Sequence, residues 1–314
     1  MIITLNQQLE NTQYAKISKI IDKCLKKLDV NTQIKRGRPL KYNDKQIISC
    51  LIYGIKNNIF SLRELEYKIN QDIVFMTIIG IEKSPDYSTF SIRLGKIENL
   101  LYEAIYMILV YEINANFRLC SIDSTALRSS KFDKDAKVGR GTRLGMYKGY
   151  KLHLACTTDD LVIPLCFSMT TANVYDNQAK ELLYETKKYN PFLILADAAY
   201  DDTEWFEICK KLEVNLLTDI NMRRAKSIKS FNGHRYENAV FRKSVIGDTI
   251  YKKNRIKIEQ LFSSLKGMYN LENPRLYGFK RYFRHVSWVL MCYLIDELIK
   301  KNEGINSRKY PWNI

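Results

Sequence analysis

The spacing of apolar residues changes character near residue 116. Before it, the period is helical: Ile17, Ile20, Ile21, Cys24 and Leu28 share one face of a helix predicted over residues 14–28. Asn43 is placed to cap a second helix that carries Ile47, Ile48, Leu51 and Ile55. Ser61 and Glu64 have capping-box spacing and open a third, to about residue 69. Residues 84–90 break the chain and start a short helix bearing Arg93, followed by a Leu- and Ile-rich helix to about residue 113. Beyond 116, short apolar runs alternate with helical stretches. Strands are predicted at 118–123, 150–157, 161–169, 191–197 and 214–217, with a hairpin turn at Thr158-Asp159-Asp160. Helices are predicted at 177–188, 203–212, 251–266 and 279–300, with a basic loop over about 220–248. This pattern predicts an α/β protein: a five-stranded mixed sheet flanked by helices, preceded by an all-helical region. The expected division is 1–116, 117–300 and a tail, 301–314.

Charge sharpens the picture. Fifty Lys and Arg against 34 acids give a net charge of +16, which attracts polyanions, with nucleic acid the default partner. A lysine-rich, merely solvated surface is the plainer alternative. Seven scattered cysteines without a C-x-x-C argue against a disulfide framework or a zinc site, and three histidines leave little for a nitrogen-ligated metal. No apolar run approaches the roughly 20 residues of a membrane span. Residues 1–10 lack the basic start and apolar stretch of a signal peptide, so a cytoplasmic location is expected.

Two apolar strands each end in an aspartate, Asp123 and Asp197. A carboxylate at the tip of a buried strand is costly unless a cation meets it, and two neighbouring tips repel each other. A hard divalent cation removes both difficulties. Glu259, on a helix with Arg255, Lys257 and Lys266, is placed to add a third oxygen ligand. Two Mg²⁺ or Mn²⁺ ions held this way activate an attacking oxygen and stabilise a leaving one at a phosphodiester. Taken singly, each acid has a plainer reading: a strand-end cap for either aspartate, a surface charge for Glu259.

The same residues fall in motifs. Ser121-Ile122-Asp123-Ser124-Thr125 is followed by Gly149-Tyr150-Lys151-Leu152-His153. Next come Thr171-Ala172-Asn173-Val174-Tyr175-Asp176 and Leu195-Ala196-Asp197-Ala198-Ala199-Tyr200-Asp201. Last is a helix with Arg255, Glu259 and Lys266. In that order, over about residues 35–300, they resemble the DDE transposases of insertion sequences of the IS4/IS5 type. Tyr251 stands one residue earlier than the family's tyrosine, with Lys252 in its place. The resemblance implies an RNase H-like core, carboxylate roles for Asp123, Asp197 and Glu259, and Arg255 and Lys266 (with Tyr251) on the DNA end. It also implies cleavage and strand transfer on double-stranded DNA by a homodimer. Asp176, the next candidate ligand, reads as a loop residue capping the following helix.

Further DNA contacts are expected from basic segments. Lys35-Arg36-Gly37-Arg38-Pro39 reads equally as a minor-groove arm or a solvated linker. Tyr87, Ser88, Thr89 and Arg93 are candidates for a recognition helix. Residues 128–151 carry Arg140, Arg143, Lys148 and five other bases among glycines, as a loop that orders on DNA would. Two rival functions share these features: a metal-dependent nuclease without strand transfer, and a DNA-binding relative without catalysis.

Overall fold

The computed structural model describes residues 5–29, 40–141, 145–223, 225–231, 233–273 and 275–306. These form two compact units: Met1–Ile113 with Met268–Asn270 and His285–Ile314, and Asn114–Gly267 with Leu271–Arg284.

The first unit holds seven helices: α1 (Leu5–Glu10), α2 (Gln13–Lys27), α3 (Asp44–Lys56), α4 (Leu62–Gln71), α5 (Ile73–Ile79), α6 (Tyr87–Leu100) and α7 (Tyr102–Ile113). Local chemistry sets their starts. Asn43 Oδ1 accepts from Gln46 N at 2.8 Å and Gln46 Oε1 accepts from Asn43 N at 2.9 Å, a closed capping box. Asp72 and Asp86 cap α5 and α6 through bonds of 2.8 and 2.7 Å. The box expected at Ser61 does not form, since its side chain makes no capping bond. Ile17, Ile21, Ile47, Ile48, Ile52, Ile69, Phe75 and Phe90 are fully buried and form this unit's centre.

The second unit is built on six strands: β1 (Leu119–Arg128), β2 (Lys137–Gly141), β3 (Gly145–Thr157), β4 (Pro164–Thr171), β5 (Leu193–Ala196) and β6 (Asn215–Thr218). Helices α8 (Glu181–Lys187), α9 (Thr203–Lys211), α10 (Gly233–Lys243) and α11 (Val245–Met268) accompany them, and α12 (Phe279–Asn302) begins here and ends in the first unit. β1 pairs antiparallel with β3, β3 with β4, and β1–β5 and β5–β6 pair in parallel. Without the short β2, the order is β4-β3-β1-β5-β6 with β3 reversed, which is the RNase H-like arrangement.

Several segments differ from the sequence expectation: β1 continues past Asp123, its expected end, to Arg128, and α1 and α5 lie where no helix was expected. β2 lies where a flexible basic loop was expected and pairs antiparallel with the start of β3. Its glycines and bases show no alternation. Backbone pairing holds it, and Gly139 sits so close to Ala172 that a Cβ would lie 2.0 Å from that carbonyl oxygen. α10 falls inside the expected 220–248 loop; its buried face is Asn238, Ala239 and Arg242, too polar for a hydrophobic period to show. Among the described residues, no helix is long and apolar enough to cross a membrane.

Candidate active site

The parallel register sets the first half of the site. Ser121 pairs with Leu195, so Asp123 and Asp197, each two residues further on, come out level on neighbouring strands. Asp197 turns the chain out of β5 and accepts from Ala199 N at 2.8 Å. The second half comes from α11. Tyr251 on this helix is buried with Leu195 and Leu217, and its hydroxyl donates to the Ala196 carbonyl at 3.2 Å. That contact anchors α11 beside the end of β5, one turn before Arg255 and two before Glu259.

Asp123, Asp197 and Glu259 line one cleft of about 550 Å³. Its wall also includes Arg140, Lys151, Arg255, Lys266, Asp176 and Glu272. Arg255 Nη2 lies 2.9 Å from Asp123 Oδ2, and Nη1 lies 3.5 Å from Glu259 Oε1. The side chains of Asp123 and Arg255 are 13% and 10% exposed; that of Glu259 is 55% exposed. Burial pushes the Asp123 carboxyl up to about 7; Arg255 opposes the shift and Asp197 adds to it. Burial also raises Asp197, against the bond from Ala199 N. Burial disfavours the Arg255 charge, but Asp123, Tyr251, Asp197 and Glu259 reverse this and its pKa is raised.

Asp176 does not cap a helix. Its Oδ1 accepts from Ser124 Oγ at 2.9 Å and from Lys151 Nζ at 3.0 Å, which brings it into the cleft wall. Lys266 Nζ donates to the Ala126 carbonyl at 2.6 Å and lies 3.3 Å from Glu272 Oε2. Glu272 also accepts from Arg128 N at 3.0 Å. Lys151 and Tyr200 stand in the sequence motifs without an assigned role in the cleft, and Glu272 is singled out by none of them. The Tyr200 hydroxyl is fully buried without a hydrogen-bond partner, in the field of Asp123, Asp176 and Asp197. The Leu195–Asp201 motif contains Tyr200, three residues after Asp197, but the burial of its hydroxyl shows only in the structure.

The other expected contact residues fall elsewhere. Arg140 is exposed at the cleft. Lys148 does not line it and donates to the Lys131 carbonyl at 2.8 Å. Arg93 is only 7% exposed, because it is spent inside the first unit on the Tyr42 carbonyl at 2.7 Å and on Asp44. It is therefore not on a free recognition surface. Tyr251 is likewise buried rather than presented to a ligand. Arg36, Arg38 and Arg143 lie outside the described residues.

The donor chemistry fits hard divalent cations. It offers oxygen ligands only, and two of the three are buried where the charged form needs a cation. Among the described residues, no three His, Cys, Asp or Glu side chains are drawn close enough to hold a metal ion. In this arrangement the Arg255 guanidinium serves Asp123 instead.

An RNase H-like sheet with Asp123 within β1, Asp197 just past the end of β5 and Glu259 on α11 around one cleft is a setting suited to a nuclease or transesterase. The sequence matches the transposase DDE domain family over residues 115–295, more than half of the chain. The chain belongs to the DDE transposases. Residues 3–93 match a second family, a transposase domain known as DUF772. No curated protein matches the sequence. Among solved structures, the chain aligns with a piggyBac transposase synaptic complex with hairpin DNA at a TM-score of 0.47 and 10% identity. That alignment covers 95% of this chain and 75% of the other.

Proposed function

We propose that this transposase cuts double-stranded DNA at the ends of an IS4/IS5-type insertion sequence and transfers the freed ends to target DNA. Asp123, Asp197 and Glu259 would hold two divalent ions, Mg²⁺ or Mn²⁺. The observation that carries the reading is the level placement of Asp123 and Asp197 on adjacent parallel strands, with Glu259 in the same cleft. Ions bound there would supply charge stabilisation to the attacking and leaving oxygens of a phosphodiester.

The chain's own groups do the rest. Arg140 and Lys266 line the cleft as positive charge for a phosphate backbone. Lys151 and Ser124 fix the Asp176 carboxylate in the wall. Tyr251 holds α11, and with it Glu259, against the strand end that bears Asp197. The resemblance to DDE transposases of insertion sequences implies that the acting species would be a homodimer bringing two DNA ends together.

The test is cleavage of a labelled duplex carrying the element's flanking ends, wild type against Glu259→Ala, with Mg²⁺ or Mn²⁺. Nicking at the ends that vanishes in the variant while DNA binding persists supports both reaction and ligand. Tight binding without cleavage by the wild type favours a DNA-binding relative without catalysis. Cleavage without joining leaves a nuclease, and equal cleavage by both proteins removes Glu259 from the site.

A further inference from the structure

Arg255 stands among the carboxylates where a cation is required. Its guanidinium touches Asp123 at 2.9 Å and Glu259 at 3.5 Å, and Asp197 contributes to its field. Its Nε is buried with no hydrogen-bond partner, so the group has donor capacity that this arrangement does not use. One fixed monovalent cation thus serves all three acids proposed as metal ligands.

We propose that Arg255 is an internal cation that must leave Asp123 before a divalent ion loads, and that a DNA phosphate in the same cleft takes the released guanidinium. The inference rests on the assignment of Asp123, Asp197 and Glu259 as ligands. Asp123 Oδ2 cannot keep a guanidinium at 2.9 Å and also bind a divalent ion at roughly 2.1 Å without forcing two cations together. A displaced guanidinium that is 10% exposed cannot be left without an anion. Its planar fork matches two phosphate oxygens, and its unused Nε donor adds to that match. Glu259 lies four residues on along α11 and is bound to the same guanidinium, so both ligands are freed by one movement. Metal and DNA are then linked through one side chain. Each tightens the other by the same factor, and Arg255 acts as a positioning residue upon the metal ligands.

The experiment is calorimetric titration of the full chain with Mn²⁺, alone and with a duplex that ends at the element's terminus with a dideoxy 3′ end. No bond is left to cut and no end is left to join. In the wild type the duplex should tighten Mn²⁺ binding by about tenfold or more, within the usual range of coupling between sites. Arg255→Gln should bind Mn²⁺ alone about tenfold more tightly than wild type, and the duplex should no longer alter that affinity. Arg255→Lys keeps the charge without the fork, and should keep weak metal binding while losing most of the coupling. It also serves if the Gln variant does not fold. Mn²⁺ affinity no higher in Arg255→Gln than in wild type, or coupling that survives in it, overturns the proposal. Asp123→Asn separates the two readings: if it leaves Mn²⁺ binding intact, the ligand assignment itself fails; if it abolishes binding while the Arg255 variants behave as wild type, only the present inference fails.

Discussion

Gly149→Ala is expected to disrupt the sheet beneath the active site. Gly149 faces Arg128 on β1 and Lys137 on β2, and its carbonyl accepts from Ala172 N at 3.1 Å. A Cβ there would lie 2.0 Å from the Leu127 carbonyl oxygen and 3.0 Å from Arg128 Cα. Both obstacles are backbone, so no side chain can swing aside. The strands must part by about 1 Å, which weakens two or three ladder hydrogen bonds worth about 1 kcal/mol each and adds strain. We expect a loss of about 2–4 kcal/mol. Gly145→Ala on the same strand is the control: its φ is +65° and nothing lies within 4 Å, so only backbone strain of about 1–2 kcal/mol applies. Urea unfolding of both variants, followed by circular dichroism, measures the difference. A Gly149→Ala protein as stable as wild type, or no worse than Gly145→Ala, would refute the close-approach argument.

Tyr200→Phe should stabilise the metal-free protein by about 1 kcal/mol, because it removes a buried hydroxyl without a partner and keeps the ring 4.7 Å from Trp205. A lower urea midpoint would mean that the hydroxyl is bonded. The Asp123 carboxyl is raised from 3.8 to about 7 in the folded protein, so between those values the folded chain holds a proton that the unfolded chain has lost. Its contribution to stability is complete below about pH 4 and lost as pH rises through about 7. Asp123→Asn should therefore flatten the decline in metal-free stability between about pH 4 and 7, and an unchanged pH profile counts against the shift. Arg93→Ala should destabilise the first unit by about 2–3 kcal/mol, since it leaves Asp44 and the Tyr42 carbonyl without their donor. Weaker DNA binding at unchanged thermal stability would restore Arg93 to a recognition surface.

Much of the catalytic unit is legible in the sequence because its strands are buried and apolar. The apolar runs leading to Asp123 and Asp197 announce both strands, but only Asp197 follows the end of its strand; β1 continues past Asp123 to Arg128 through a half-buried, more polar stretch that pairs with β3. The parallel neighbourhood of β1 and β5 is not local information, so the level placement of the two acids appears only in the structure. β2 escaped because its pairing depends on backbone approach at Gly139, which leaves no hydrophobic signature. Arg93 and Tyr251 misled for a shared reason. Charge and hydroxyl groups look like ligand-binding groups in a sequence, yet here both bond to backbone carbonyls inside the protein. Asp176 misled in the other direction: what reads as a helix cap is tied by Ser124 and Lys151, residues far from it along the chain.

The first unit is assembled from both sides of the catalytic one in chain order. Lys56 finds its carboxylate on Asp296, and the Tyr102 hydroxyl donates to the Ser287 carbonyl at 2.8 Å. During synthesis from the N-terminus, the seven early helices emerge long before either partner exists. They must wait as an incomplete core, with Lys56 lacking its carboxylate partner, until α12 leaves the ribosome. A message that stops anywhere within the catalytic unit therefore yields no finished N-terminal unit either, and a truncated copy of this gene cannot supply a half that folds to its full set of contacts.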